Sequence, residues 1–307
     1  MPMLSIITPC YNEQEAVHYF YDETIKYLKT MNLEYEILFV NDGSTDNTLN
    51  ECLKIKEKNP FVKIINFSRN FGKEAAMLAG MKESKGDYVV IMDTDLQDPP
   101  KLLPEMYRYL TEEDYDSVAT YRVSRKGEPP IRSFFARIFY KLINKMVDVE
   151  IVDGARDYRM MKRQMVDAII SMPEYHRFSK GIFAWVGFKT KYLEFENVER
   201  IAGETKWSFW KLFKYAIDGI VGFTTLPLRL ATIVGALVST FGFLYMIYIA
   251  VKAIAFGDPV AGFPSLIVII TLLGGIQLLI LGIIGEYLAR TYMESKKRPI
   301  YIVKEIL

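Results

Sequence analysis

Two stretches without a single charged residue, 230–251 and 262–285, constrain this chain more than anything else in it. A helix needs about 20 apolar residues to cross a hydrocarbon core roughly 30 Å thick, and each stretch is long enough. Gly274, Gly275 and Gly282 fit membrane helices, where small residues let neighbours approach closely. The connecting loop, 255–263, carries no Lys or Arg. Lys211, Lys214 and Arg229 precede the first stretch, and Arg290, Lys296, Lys297 and Arg298 follow the second. Basic residues collect on the cytoplasmic side, so the pattern predicts a multi-pass protein of the inner or plasma membrane with both termini in the cytoplasm. The opening residues lack a basic segment followed by a long apolar one, so no secretory signal is expected there.

The remaining two thirds of the chain read differently. From residue 1 to about 122, short apolar runs alternate with helical periodicity, the mark of βα units in a mostly parallel sheet. Strands are predicted at 4–8, 36–40, 62–67, 88–92 and 117–121, with helices at 13–31, 45–58 and 73–84. Ligands of such sheets gather beyond the carboxyl ends of the strands. That draws attention to Tyr11-Asn12-Glu13, Asn41-Asp42, Ser68-Arg69-Asn70, Asp93 to Gln97, and Arg122. Further on, 131–147 predicts an amphipathic helix with Arg137, Lys141 and Lys145 on one face, either packed on the sheet or lying on anionic lipid. The segment 206–223 combines Trp207 and Trp210 with Lys211 and Lys214, the make-up of chain at headgroup level. The expected division is therefore 1–205 as a cytoplasmic α/β domain, 206–229 as an interfacial segment, and 230–289 as two membrane helices (230–253 and 262–287). The remainder, 290–307, is expected to be a cytoplasmic tail.

Charge excludes one class of partner. Among 307 residues, 38 Lys and Arg face 37 Asp and Glu for a net +1, which argues against a nucleic-acid binder. Cys10 and Cys52 lack metal or redox spacing and fit buried reduced thiols.

The strongest local signal is Ile91-Met92-Asp93-Thr94-Asp95-Leu96-Gln97-Asp98-Pro99-Pro100. Two carboxylates one residue apart at the end of a buried strand need a counter-charge, and a divalent cation supplies it. Hard oxygen ligands from Asp93, Asp95 and the Gln97 amide suit Mg²⁺ or Mn²⁺ bridging the phosphates of a nucleotide diphosphate. Asp42, after the second strand, is placed to accept the imide N–H of uracil or to grip a ribose. Asp46 suits a cap on the helix that follows.

Taken together, Thr8-Pro9-Cys10-Tyr11-Asn12-Glu13, Val40-Asn41-Asp42-Gly43-Ser44, Arg69-Asn70-Phe71-Gly72-Lys73, the acidic run above, and Arg200-Ile201-Ala202-Gly203-Glu204-Thr205-Lys206-Trp207 resemble family 2 glycosyltransferases of the GT-A fold. More narrowly, they resemble the polyprenyl-phosphate sugar transferases, a group that includes bactoprenol glucosyltransferases and dolichyl-phosphate mannose synthases. The resemblance spans nearly the whole chain. It implies a Rossmann-like catalytic domain, amphipathic interfacial helices and a membrane hairpin. Pro9, Tyr11, Glu13, Val40, Asp42, Asp93 and Thr94 would hold the nucleotide, and Asp93, Asp95 and Gln97 the metal. Arg122, Arg132, Arg200 and Lys206 would surround the phosphates of donor and acceptor. Guanidinium groups suit that task because they bind phosphate bidentately. Asp157 stands where the family has a proposed catalytic base, with Asp153 nearby. A phosphate monoester is already mostly a dianion at pH 7, so Asp157 either takes a proton or orients the acceptor.

The implied reaction is inverting transfer of a hexose, glucose or an N-acetylhexosamine, from a UDP-sugar to undecaprenyl phosphate in the bilayer. A GDP-mannose-using mannose synthase is the alternative. A processive polysaccharide synthase would want a Gln-x-x-Arg-Trp motif and more spans, and a non-enzymatic membrane scaffold would not need Asp42, Asp93 and Asp95 together. Oligomeric state stays open, a homo-oligomer included.

Overall fold

A computed structural model describes residues 1–122, 144, 152, 154–195, 221–256 and 262–307. It divides into two compact units, Met1–Gly222 with Pro299–Leu307, and Phe223–Arg298.

The first unit is a sheet covered by helices. Its elements are β1 (Met3–Cys10), α1 (Ala16–Leu28), β2 (Glu34–Asn41), α2 (Thr48–Lys58), β3 (Val62–Phe67), α3 (Lys73–Glu83), β4 (Tyr88–Ile91), α4 (Leu103–Glu112), β5 (Ser117–Arg122), β6 (Ala155–Lys162), α5 (Arg163–Ser171), α6 (Ser179–Trp185) and β7 (Thr190–Phe195). The eight-stranded order is β7-β5-β6-β4-β1-β2-β3-β8, in which β8 (Val303–Ile306) comes from the end of the chain. The β1–β2, β1–β4, β2–β3 and β5–β7 pairs are parallel. β6 runs antiparallel to both β4 and β5, and β8 antiparallel to β3.

The strands are apolar because both faces are covered. Leu4 and Ile6 share the core cluster with Val17 and Phe20 of α1, and Phe20 meets Phe39 edge to face with ring centres 6.2 Å apart. One residue along β1, the side chains point to the opposite face, where Ile7 meets α3. A Cβ on Gly80 would lie 2.2 Å from Ile7 Cγ2, so glycine there lets α3 press against the strand. α3 is accordingly buried almost all round, from Ala75 to Met81.

The five strands predicted from the sequence lie within one or two residues of β1 to β5. β6, β7 and β8 were not foreseen, and β6 matters most, because it enters between β4 and β5 and brings Asp157 to the crevice.

The second unit holds two long helices, α7 (Leu226–Phe256) and α8 (Phe263–Ser295). Within them, Leu226–Ile249 and Leu272–Ser295 are long and apolar enough to cross a membrane. Their large side chains are exposed rather than packed: Leu237 is 65 % exposed, Phe241 74 % and Leu278 72 %. A core helix of a water-soluble protein would bury these groups, whereas a hydrophobic surface all round a helix calls for lipid or other apolar partners. The Tyr287 hydroxyl donates to the Thr224 carbonyl at 2.6 Å, tying α8 to the start of the hairpin. The predicted amphipathic helix at 131–147, the segment 206–220, and Asp153, Arg132, Arg200 and Lys206 lie outside the described residues, Asn144 apart.

Candidate active site

Parallel pairing of β1, β2, β3 and β4 aligns their carboxyl ends, and the loops that follow meet there. β6 runs the other way, so its first residues arrive at the same edge.

The loops after β1 and β2 interlock through hydrogen bonds rather than ion pairs. Asn12 takes a positive φ of 53°, and its amide N–H donates to Ser44 Oγ at 3.0 Å. Its side-chain oxygen accepts from the Thr45 amide at 2.8 Å. Glu13 N–H donates to Thr48 Oγ1 at 2.8 Å, and Asp46 accepts from the Thr48 amide at 3.0 Å, so Asp46 does organise the start of α2. Gly43, at φ +64°, lets the Asn-Asp-Gly turn approach the next loop closely. A Cβ there would stand 2.3 Å from the Arg69 carbonyl carbon. Asp42, 3 % exposed, uses that proximity: Oδ1 accepts from the Phe71 amide at 2.6 Å and Oδ2 from the Gly72 amide at 2.9 Å. Burial pushes its carboxyl up to about 6, against the pull of those amides and Arg69. Each carboxylate oxygen keeps a further lone pair for a ligand. Pro9, Tyr11 and Glu13 are partly buried beside this turn in the chain's path, while Val40 is fully buried.

The loop after β4 is held by ions instead. Lys73, the first residue of α3, reaches Asp93 Oδ1 at 2.7 Å and Asp157 Oδ2 at 2.8 Å. Asp98 accepts from the Asp93 amide at 3.3 Å and pairs with Arg156 of β6 at 3.2 Å. Asp95 Oδ1 accepts from the Gln97 amide at 3.1 Å across a turn in which Leu96 adopts φ +55°. Positive φ at a branched residue is strained, and such strain concentrates where a loop must present particular atoms. The Tyr158 hydroxyl donates to the Pro99 carbonyl at 3.1 Å, so β6 pins both ends of the acidic loop.

The charges bear on one another. Burial by itself would raise the Asp157 carboxyl, but Lys73, then Lys180 and Arg156, outweigh it and hold the group far below the carboxylate range. Burial likewise opposes charge on Lys73, yet Asp157 and Asp93 keep it firmly protonated. Asp98 is pushed up to about 6, chiefly by burial. Glu74, whose neighbour Ser179 donates to it at 3.0 Å, is raised to about 7 by burial and then by Asp157.

The structure thus brings Asp93, Asp95, Gln97 and Asp157 into one charged cluster and Asp42 into the adjoining turn. Arg122 ends β5, in register with Phe195. Reasoning from sequence missed Lys73 as the bridge between Asp93 and Asp157, and the pairing of Arg156 with Asp98. Lys73 closes the Arg69-Asn70-Phe71-Gly72-Lys73 motif, and the signal that pointed to it is a lysine immediately after glycine at the opening of a helix on the crevice side.

The donor set has hard-metal chemistry. Among the described residues, no group of three or more His, Cys, Asp or Glu is arranged as a ready-made metal centre. Asp93, Asp95 and the Gln97 amide oxygen nevertheless fit an ion of the Mg²⁺ type, which binds through one or two carboxylates and completes its shell with substrate phosphates and water.

Comparison with known proteins agrees. The profile of glycosyl transferase family 2 matches residues 5–170. A putative glycosyltransferase, CsbB, of Bacillus subtilis is 46 % identical over 303 residues, covering 99 % of this chain and 92 % of that one. A prophage bactoprenol glucosyl transferase homolog of Escherichia coli is 41 % identical, covering 99 % of both chains. The bactoprenol glucosyl transferase of Shigella phage SfV is 40 % identical, covering 98 % of both. Glucosyl-3-phosphoglycerate synthase from Mycobacterium tuberculosis, solved with Mn²⁺, uridine diphosphate and phosphoglyceric acid, shares the fold at a TM-score of 0.50 and 17 % identity, covering 72 % of this chain and 76 % of that one. With a catalytic crevice of GT-A architecture and full-length relatives of this kind, the chain belongs to glycosyl transferase family 2.

Proposed function

We propose that this enzyme transfers a hexose from a UDP-sugar to undecaprenyl phosphate, on the cytoplasmic face of the membrane that holds α7 and α8. One observation carries the reading: a carboxylate-rich loop bridged by Lys73 to Asp157, in a chain that continues into two lipid-compatible helices. The names of relatives alike over their full length, bactoprenol glucosyl transferases, support the acceptor. The strand after the second apolar helix joins the same sheet as the strands before the first. That connectivity supports an even number of crossings, in keeping with two spans.

In this reading Asp42 and the Asn12–Ser44 turn hold the nucleoside, and Asp93, Asp95 and Gln97 hold Mg²⁺ or Mn²⁺ together with the diphosphate. The bound ion would neutralise negative charge developing on the leaving diphosphate. The protein's part is preorganisation. Lys73 places a permanent positive charge between Asp93 and Asp157, and Arg156 balances Asp98, so the cluster needs little rearrangement as charge moves. Arg122, Arg132, Arg200 and Lys206 are assigned to the donor and acceptor phosphates. Asp157 is a poor proton acceptor while Lys73 holds it ionised, and a lipid phosphate dianion already has its nucleophilic oxygen free. Its role is therefore to orient Lys73 and the acceptor. The phosphate oxygen attacks the anomeric carbon in line with the departing diphosphate, and the product is an inverted polyprenyl-phosphate sugar.

The test is purified full-length protein with undecaprenyl phosphate, Mn²⁺ or Mg²⁺, and radiolabelled UDP-glucose, UDP-N-acetylhexosamine or GDP-mannose in separate reactions. Label from a UDP-sugar should enter the lipid phase, and EDTA should abolish it. Asp95→Asn should lower the rate roughly a hundredfold or more. Label that enters lipid only from GDP-mannose would replace the donor assignment. Undiminished transfer by Asp95→Asn would remove the metal from the account.

A further inference from the structure

The last nine residues, Pro299–Leu307, return to the sheet of the first unit and touch the nucleotide crevice from behind by two routes. The first route is polar. In the β3–β8 ladder Glu305 lies opposite Asn66. Asn66 Nδ2 donates to Glu305 Oε1 at 2.7 Å, and Asn41 Nδ2 donates to Asn66 Oδ1 at 2.8 Å. Asn41 Oδ1 in turn accepts from the Ser44 hydroxyl at 2.5 Å and from the Ser44 amide at 3.3 Å. Ser44 is the residue that fixes Asn12 on the far side of the turn. Asn41 and Asn66 are 2 % and 5 % exposed, so water cannot readily stand in for a missing partner.

The second route is aromatic. Tyr301 stacks on Phe67 with ring centres 5.0 Å apart and planes 12° apart, and Phe67 meets Phe71 edge-on at 5.8 Å. Phe71 supplies the amide that binds Asp42. Between the two routes, the Ser68 amide donates to the Ile302 carbonyl at 3.0 Å. Ile300 also lines a cleft of about 340 Å³ shared with Arg69, Gly72, Glu74 and Arg177.

We propose that the C-terminal segment is a positioning element of the donor pocket: Glu305, through Asn66 and Asn41, and Tyr301, through Phe67 and Phe71, set the turn that receives the nucleoside. The segment that follows the second apolar helix thereby becomes part of the nucleotide site, without touching substrate. An edge strand that served only to cap the sheet would not need a carboxylate aimed at a chain of buried amides ending on the binding turn. The inference rests on the proposed use of the crevice for a uridine nucleotide.

The experiment is calorimetric titration of UDP with Mn²⁺ into the full-length protein in detergent, alongside steady-state kinetics and thermal unfolding. Glu305→Ala should weaken UDP binding about fivefold to tenfold, the scale of one ordinary hydrogen bond. It should raise the donor KM in proportion and leave kcat and the KM for polyprenyl phosphate unchanged. Glu305→Gln, whose side-chain oxygen still accepts from Asn66, should restore wild-type affinity. Tyr301→Leu should act in the same direction, through the second route. Unchanged UDP affinity in a folded Glu305→Ala protein would overturn the proposal. So would a loss in which kcat and both KM values worsen together with the unfolding temperature, since that is the signature of a merely structural strand. A wild-type protein that binds no UDP would remove the donor assignment and this inference with it.

Discussion

The two ends of the crevice are built from different forces. At the turn after β2, most contacts are between neutral groups: Asn12, Ser44, Thr45, Asn41 and Asn66 exchange hydrogen bonds, and the two carboxylates, Asp42 and Asp46, accept from backbone amides rather than pairing with cations. At the loop after β4, the contacts are ionic: Lys73 with Asp93 and Asp157, and Arg156 with Asp98. Hydrogen bonds to amides fix direction and suit recognition of a flat, neutral base. Charges at low dielectric are strong but adaptable in direction, and they suit groups whose charge changes during reaction. The difference teaches that binding and chemistry are divided along one sheet edge, so each end should fail in its own way when altered.

The largest effect is expected at the ionic end. Lys73→Met removes the cation shared by Asp93 and Asp157 and leaves two half-buried carboxylates facing each other. Breaking a buried pair by removing one partner is far more damaging than its net contribution suggests. We expect kcat to fall roughly a hundredfold or more while UDP binding changes little. A variant that keeps near-wild-type kcat, or that loses mainly donor affinity, would erase the division between the two ends.

How much of this was legible in the sequence follows the same line. Strands β1 to β5 were readable because buried parallel strands are continuous apolar runs, as in Leu4-Ser5-Ile6-Ile7, and the spans were readable because a bilayer imposes a length. Asp42, Asp93 and Asp95 were readable because acids at the ends of apolar runs stand out. β6 was not, because Arg156, Asp157 and Arg159 interrupt Ala155–Lys162 with charges that look like loop. Arg156 and Asp157 are in the strand because their partners, Asp98 and Lys73, come from parts of the chain distant in sequence. β8 escaped for a related reason: Val303-Lys304-Glu305-Ile306 sets two adjacent charges between two apolar residues, with no period-two alternation and only four positions to tell it from a tail. Lys73 lay inside a motif that pointed to the family, yet its role appears only once β6 has delivered Asp157.

A smaller effect, on geometry, is expected at the neutral end. Gly43→Ala keeps every charge but places a methyl group against the Arg69–Asn70 backbone at a φ of +64°. Neither backbone nor dihedral can yield cheaply, so the cost should be roughly 2 to 3 kcal/mol. The apparent Tm should drop by roughly 5 to 10 °C. Below that temperature the donor KM should rise and kcat should hold. If kcat fell instead with KM unchanged, the turn would belong to the chemistry and the two ends would be one.

The smallest effect is one of pH and isolates Asp42. Its carboxyl, raised to about 6, must be ionised to keep both amide contacts and still accept a hydrogen bond from the donor's base. In the free enzyme, kcat/KM for the donor should therefore be level above pH 7 and fall on the acid side of about 6, approaching tenfold per pH unit. Asp42→Asn should abolish that acid limb while lowering kcat/KM at neutral pH by about tenfold, the order of one hydrogen bond. Stability carries the opposite sign. A buried acid whose folded pKa lies above its unfolded value favours the fold at pH below about 4, and that contribution disappears as pH rises through about 6. The difference in Tm between Asp42→Asn and wild type should accordingly shift in the variant's favour between pH 4 and pH 6 and then stay constant. An acid limb that survives in Asp42→Asn would have to come from the ionic end, where Asp98 is raised to a similar value. The neutral turn would then carry no titrating group that the donor senses.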